Sequence, residues 1–228
     1  MAIQLKCTKD VALNGIKVVV YGDAGVGKTT LMGTAPRPLI ISAEAGLLSL
    51  RGKEIPYIEV HSMADLIEAY EYALSEEGLQ QYDTLCLDSL SEIVELILSN
   101  EKEKSKDPRQ AYQALIDKYL DILRSFRDIV GKNVVFSAKV ERTQLSDGTT
   151  KFSMMLPGAK TGQQTPYFFD EVFALRIFND LESKTTSRWL QTDGDSAYVA
   201  KDRSGALDMY EEPDLTKIFE KIAKKEST

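Results

Sequence analysis

Ile16-Lys17-Val18-Val19-Val20-Tyr21-Gly22-Asp23-Ala24-Gly25-Val26-Gly27-Lys28-Thr29-Thr30 reads as an apolar strand, a glycine-rich turn and the start of a helix. Its glycines and its Lys-Thr pair fall at the spacing of the phosphate-binding loop, G-x-x-x-x-G-K-[ST], in the strand–loop–helix setting that the pattern requires. Glycine lets the backbone curl until successive N–H groups converge on one phosphate. The first turn of the following helix adds partial positive charge. Lys28 is placed to reach the β and γ phosphates. The Thr29 hydroxyl is placed to ligate Mg2+, a hard cation that prefers oxygen. Gly22, Asp23, Ala24, Gly25, Val26, Gly27, Lys28, Thr29 and Thr30 therefore form the expected cradle of a nucleoside triphosphate.

The bulk of the sequence bounds what surrounds this loop. A chain of 228 residues suits one well-cored domain rather than two. Hydrophobic residues make up 43% and charged residues 28%, the ordinary balance of a soluble globular protein. The net charge of −7 argues against indiscriminate binding to nucleic acid and leaves room for a local basic surface. Two cysteines, Cys7 and Cys86, fit a reduced, cytoplasmic protein; Cys86 lies in an apolar run and reads as a small core residue. No signal peptide and no apolar run long enough to span a bilayer is seen, so no membrane partner is expected. The single histidine, His61, has no neighbour at metal-ligand spacing and reads as a structural or surface residue.

Along the chain, residues 1–14 read as an extended lead-in. A short helix from Lys28 to about Thr34 ends at Ala35-Pro36-Arg37-Pro38. Leu39 to Ala43 and Ile55 to Val60 read as strands. Ser62 is the expected N-cap of a helix with Leu66, Ile67, Tyr70, Ala73 and Leu74 on one face, ended by Gly78. Tyr82 to Ser89 is an apolar strand ending in an acid. Two helices follow, Ser91 to Lys104 and Pro108 to about Val130, then a buried strand at Asn133 to Ser137. The alternation implies an α/β fold, with a mostly parallel, twisted sheet flanked by helices. Later the pattern changes. Val140 to Met155 reads as a hairpin turning at Asp147-Gly148, and Leu156 to Pro166 as a loop. Asp170 to Phe178, Ser187 to Gln191 and Ala197 to Lys201 read as late, partly antiparallel strands, with Asp193-Gly194 as a second hairpin signal. A last helix runs from Leu215 to about Lys224. The expectation is one domain over residues 1–228, with a core at about 16–210 and a C-terminal helix at about 214–225.

Asp88 sits where a second Mg2+ element is expected, holding the ion through water beside Thr29; a helix-capping aspartate is the plainer alternative. A small GTPase would carry a glycine three residues after that acid and an Asn/Thr-Lys-x-Asp for guanine; the chain has Ser89-Leu90-Ser91 and no such tetrad. Arg109, Arg124 and Arg127 sit on a helical pattern and do not resemble the arginine-bearing lid of a metabolite kinase. Ser89 stands where AAA-plus machines place a glutamate. The carboxylate that orients the attacking water must come from elsewhere, and Glu44 at the end of the neighbouring strand is the candidate; a surface or capping acid is the alternative there.

Four elements, Gly22–Thr30, Ser42-Ala43-Glu44, Leu85-Cys86-Leu87-Asp88-Ser89 and Val134-Val135-Phe136-Ser137, together resemble the RecA-like ATPase core, a P-loop NTPase fold. Over most of residues 16–210 the chain resembles phage-encoded RecA-like ATPases of the single-strand annealing protein group. The resemblance implies ATP with Mg2+ as ligands. It also implies a homo-oligomeric ring or filament in which Lys201 and Arg203, of Lys201-Asp202-Arg203, reach the neighbour's nucleotide and offset charge in the transition state. The resemblance makes Lys28, Glu44, Lys201 and Arg203 the catalytic set. Lys139 departs from the polar sensor, often glutamine, that many RecA-like proteins use there. Single-stranded DNA is the implied partner, met by the Arg142–Lys151 hairpin and the Gly158–Tyr167 segment. Arg142, Lys151 and Lys160 would face phosphates, and Phe152, Tyr167 or Phe168 would face bases. The implied setting is phage homologous recombination or strand annealing in the bacterial cytoplasm, with a single-strand-binding protein as a further partner. A nucleotide-switched assembly or regulatory ATPase that binds a protein and not DNA stays open, favoured by the negative net charge. So does, more weakly, a small-molecule kinase.

Overall fold

The computed structural model describes residues 14–44, 46–105, 107–157, 159–180 and 184–225, with the backbone path alone at Ala159 and Lys160. Cys7 and the lead-in before Asn14 lie outside the described residues, as does the Lys160 side chain. The strands are β1 (Lys17–Gly22), β2 (Pro38–Ser42), β3 (Tyr57–Glu59), β4 (Thr84–Asp88), β5 (Asn133–Gln144), β6 (Thr150–Met154), β7 (Glu171–Asp180), β8 (Thr185–Gln191), β9 (Lys201–Asp202) and β10 (Tyr210–Glu211). The helices are α1 (Lys28–Met32), α2 (Met63–Leu74), α3 (Glu76–Gln81), α4 (Leu90–Lys104), α5 (Pro108–Arg127), α6 (Ala159–Gln164) and α7 (Leu215–Lys225).

One sheet runs in the order β10-β8-β7-β1-β5-β4-β2-β3, with β6 joined to β5 and β9 to β7. The run from β7 through β3 is parallel, and β6, β8, β9 and β10 are antiparallel additions. The parallel strands are apolar on both faces because helices cover both. On one face Val19, Tyr21, Ile41, Leu87 and Phe136 pack with Leu66, Ile93, Tyr119 and Leu123 of α2, α4 and α5. On the other, Val18, Val20, Ile40, Cys86, Val135 and Phe173 pack with Leu31 and Met32 of α1 and with Leu215, Ile218 and Phe219 of α7. Cys86 is thus the buried core residue that its apolar run suggests. Each such side chain, fully buried, contributes about 1.5–3 kcal/mol. This two-sided core holds β1 rigid beneath the loop that leaves its end.

The helix starts are chemically marked. The Ser62 hydroxyl accepts from Asp65 N–H at 3.2 Å while the Asp65 carboxylate accepts from His61 N–H at 2.8 Å, a reciprocal cap. Asp107 caps α5, with Pro108 in its first turn. His61 itself is exposed, 3.7 Å from Glu59, as a surface residue.

Four local expectations are corrected. Gly78 does not end α2: Ser75 does, and the same residue caps α3 through its hydroxyl. Gly78 lies inside α3 because a Cβ there would stand 2.3 Å from the Tyr72 carbonyl. The stretch expected as a loop at Leu156 to Pro166 contains α6 and continues into a 3-10 turn at Thr165–Phe168; buried Thr165 meets the Tyr119 hydroxyl at 2.6 Å. Asp193-Gly194 does not turn a hairpin. β8 and β9 both lie antiparallel to β7, and the chain bulges out between them. The strand expected at Ala197 to Lys201 reduces to Tyr198 bridging Phe152, and β9 begins only at Lys201.

Candidate functional site

The glycine-rich loop leaves β1 at its C-terminal end and enters α1. Gly25 and Gly27 have φ of 74° and 108°, backbone conformations that a side chain resists. A Cβ on Gly22 would meet the Leu175 carbonyl at 2.7 Å, so the loop needs glycine there for packing as well. Lys28 is folded over the loop, and its Nζ donates to the carbonyls of Gly22 (2.9 Å) and Asp23 (3.0 Å). Burial lowers its pKa, while Glu44, Asp88 and Asp23 nearby act the other way.

Asp88 ends β4, two strands from β1, and is buried. Its Oδ2 accepts from the Thr29 hydroxyl at 2.6 Å, and its Oδ1 accepts from the Ser137 hydroxyl of β5. A hydroxyl and a carboxylate side by side are the hard oxygen donors that suit Mg2+. The fit needs no helix-capping role for Asp88, since Ser89 is the α4 N-cap. The Asp88 carbonyl also accepts from Ala43 N–H (2.7 Å) and Glu44 N–H (3.0 Å), and the Ser42 hydroxyl donates to the Glu44 carbonyl at 2.7 Å. These bonds fix the Glu44 backbone beside the loop, with its side chain half-buried. Glu44 is the first charged group acting on Lys28 after burial. Lys139, next to Gly22 in the β1–β5 register, pairs with Glu92 on α4, and that bond raises its pKa.

The remaining sequence candidates fall elsewhere. β9 pairs with the first residues of β7, Glu171 with Asp202 and Val172 with Lys201, while Glu171 lies beside Val18 near the start of β1. From Val18 to Gly22 the strand rises on the order of 13 Å, so Lys201 and Arg203 sit at the end of the sheet opposite their own chain's loop. Lys201 donates to the carbonyls of Pro166 (2.6 Å) and Phe169 (2.5 Å), and burial lowers its pKa. Arg203 binds Asp170 at 2.8 Å and the Tyr167 carbonyl at 3.2 Å. The hairpin and the last residues of the second segment expected to meet DNA are also apart. The β5–β6 hairpin stands at the loop end, where Arg142 binds Asp23 at 2.7 Å. Tyr167 and Phe168 stand at the other end, beside Arg203 and under Arg127, whose guanidinium lies 5.6 Å from the Phe168 ring. Phe152 does not offer an open ring: it stacks on Tyr198 at 4.5 Å and 6°, and the Arg142 guanidinium lies 5.7 Å from its centroid.

Two contributors escape a reading of the sequence. Ser137 orients Asp88, but a serine at a strand end carries no signal of that. Arg188 of β8 lies on the phosphate loop, its Nε donating to the Val26 carbonyl at 2.9 Å. Only the late β7–β8 ribbon brings it there, and no local pattern marks it.

A glycine loop at the C-terminal end of the interior strand β1 of a parallel α/β sheet, faced by a buried strand-end aspartate hydrogen-bonded to the loop threonine, defines a P-loop ATPase with a RecA-like fold. The chain belongs to the AAA domain family AAA_24, whose model matches residues 14–204. No curated protein matches it in sequence. Among solved structures it is similar to an ATPase of the type III secretion system of pathogenic bacteria, with a TM-score of 0.50 and 13% identity over 71% of this chain; the match spans 52% of that one. A KaiC-like protein of Pyrococcus horikoshii OT3 aligns at a TM-score of 0.44 and 13% identity, over 78% of this chain and 77% of the other. Among the described residues no helix is long and apolar enough to cross a membrane.

Proposed function

We propose that this ATPase hydrolyses ATP with Mg2+ in an oligomer and acts on single-stranded DNA in phage homologous recombination or strand annealing. Hydrolysis rests on one observation, the Thr29–Asp88 contact of 2.6 Å beside the glycine loop. Mg2+ held there would screen the charge of the β and γ phosphates. Lys28 exchanges its two loop carbonyls for phosphate oxygens. Glu44 orients a water toward the γ phosphorus and accepts its proton. Arg203 cannot act within its own chain, so its role as a γ-phosphate cation requires the neighbouring subunit.

The DNA reading is favoured by the Arg142–Asp23 ion pair, which joins an exposed hairpin to the phosphate loop. A polyanion that drew Arg142 away would alter the loop's surroundings, and the effect is reciprocal. The second reading, a nucleotide-switched module for a protein partner, is favoured by the Phe152–Tyr198 stack, which occupies a face of Phe152 that a base would need. ATP turnover measured with and without single-stranded DNA, beside a gel shift and the oligomer mass with nucleotide, separates the two. Turnover that rises severalfold with DNA supports the first. Turnover indifferent to DNA, with no shifted band but a nucleotide-dependent mass, supports the second.

A further inference from the structure

The triphosphate's direction in the site can be read from the sheet order. Asp88 on β4 and Glu44 after β2 lie on one side of β1, so the γ end of the ligand points that way. The nucleoside end must then leave on the β7–β8 side. There the loop borders a cleft of about 300 Å³ lined by Gly25, Gly27, Thr30, Leu175, Arg188 and Pro213. The volume lies at the lower end of the range for small-molecule sites. Arg188 is its one charged wall. Its Nε is spent on the Val26 carbonyl, and its side chain crosses the bare face of Gly27, where a Cβ would stand 3.6 Å from Cδ. Among the described residues its two Nη groups make no hydrogen bond to the protein, so the planar guanidinium is held at one end and open at the other. No carboxylate or amide side chain lines the cleft to read a base edge. Asp214, next to Pro213, already accepts from Thr216 N–H at 3.0 Å and Lys217 N–H at 3.2 Å at the start of α7.

We infer that this cleft takes the base and ribose of the nucleotide and that Arg188 is the residue that positions the base, by stacking on its face rather than reading its edge. The inference rests on the nucleotide site proposed above and adds its substrate range: nucleoside triphosphates without discrimination between adenine and guanine. Stacking supplies this because every base offers a π face, whereas selectivity of many orders needs buried edge contacts.

Equilibrium binding of ATP, GTP and inorganic tripolyphosphate, each with Mg2+, to the full chain tests it. Wild type is expected to bind ATP and GTP within about threefold of each other. Arg188→Ala should weaken both about tenfold and leave tripolyphosphate unchanged. Arg188→Lys, which keeps the charge and loses the planar face, should behave like Arg188→Ala. A hundredfold preference for one purine overturns the inference. So does an equal loss of tripolyphosphate, which would mean that Arg188 acts on the loop or the phosphates, or full recovery in Arg188→Lys. If wild type binds none of the three, the nucleotide site itself falls and this inference with it; ATP bound equally by wild type and Arg188→Ala removes the inference alone.

Discussion

The two ends of the parallel sheet hold the same kinds of side chain in opposite states. Where β1 runs into the glycine loop, the contacts made by the loop's own polar groups are ones that a ligand can take over. Lys28 rests on two loop carbonyls, the Thr29 hydroxyl on Asp88, and Arg142 on Asp23 at the surface. Where β1 and β7 begin, the ammonium groups are spent on backbone. Lys17 donates to the carbonyls of Asn14, Ile129 and Lys132, and Lys201 to those of Pro166 and Phe169. Glu171 is fully buried there, and its Oε2 has no hydrogen bond. A lysine that closes a loop is a ligand group between ligands, whereas one saturated by inner carbonyls is a strut. Arg203 breaks the pattern, since its side chain is half exposed and tied to Asp170.

Removing the defining group at the loop end should have the largest effect. Lys28→Ala is expected to weaken ATP binding at least about a hundredfold and to abolish turnover. Calorimetric titration with ATP and Mg2+ checks this, and near-wild-type affinity would remove Lys28 from the site. Glu44→Gln keeps the shape and loses the base. Turnover should fall by about 10²–10⁴ with ATP affinity within a few-fold of wild type. A variant that hydrolyses normally would place the water-orienting group elsewhere.

The far end is sharpened by setting Arg203 against Lys201. Arg203→Ala loses a half-exposed ion pair and one exposed hydrogen bond to the Tyr167 carbonyl, so its effect on folding stability should be about 1 kcal/mol or less. If the arginine serves a neighbour's nucleotide, turnover should still fall by about a hundredfold or more, with ATP binding retained. Lys201→Ala instead deprives two inner carbonyls of their donor and should lower the unfolding midpoint as well. Turnover that is unchanged in Arg203→Ala, measured at a concentration where wild type is oligomeric, would refute the trans role.

How much of this was legible in the sequence depends on how local each feature is. The glycine loop, Asp88 and the alternating strands are short-range patterns, since Gly22 to Thr29 follows the apolar run Ile16 to Tyr21 and precedes a helix within one short window. Ser62 and Pro108 announce their helices for the same reason. Gly78 misleads because a glycine usually ends a helix, and here tight packing on the Tyr72 carbonyl calls for one inside α3. Arg188, Ser137 and the separation of the hairpin from Tyr167 depend on which strand lies next to which. That order, β8-β7-β1-β5-β4, is a tertiary fact that no window of sequence contains. The Lys201-Asp202-Arg203 triplet shows both sides of this: the residues stand out, but only the β7–β9 register shows that they face away from their own loop.

The smallest expected effect tests whether the far end is structural. Glu171 faces Asp202 across the β7–β9 pair; burial, then the Asp202 charge, pushes its pKa up to about 7 from 4.5. For an acid with a raised native pKa, the unfolded chain gives up its proton first as the pH rises. The native state then binds more protons than the unfolded state between about pH 4.5 and pH 7, so stability falls across that window and levels off above it. Glu171→Gln cannot ionise, keeps an oxygen to accept from Ser204 N–H, and presents an amide to Asp202. It should therefore match wild type near pH 4.5 and exceed it by about 1–2 kcal/mol at pH 8, a value below the full linkage figure because water and relaxation soften the burial. Urea unfolding of both proteins across this range measures the difference. A gap that does not change with pH would mean that Glu171 is already ionised at neutral pH. The far end would then hold a buried charge, and the contrast with the ligand-ready loop end would rest on the lysines alone.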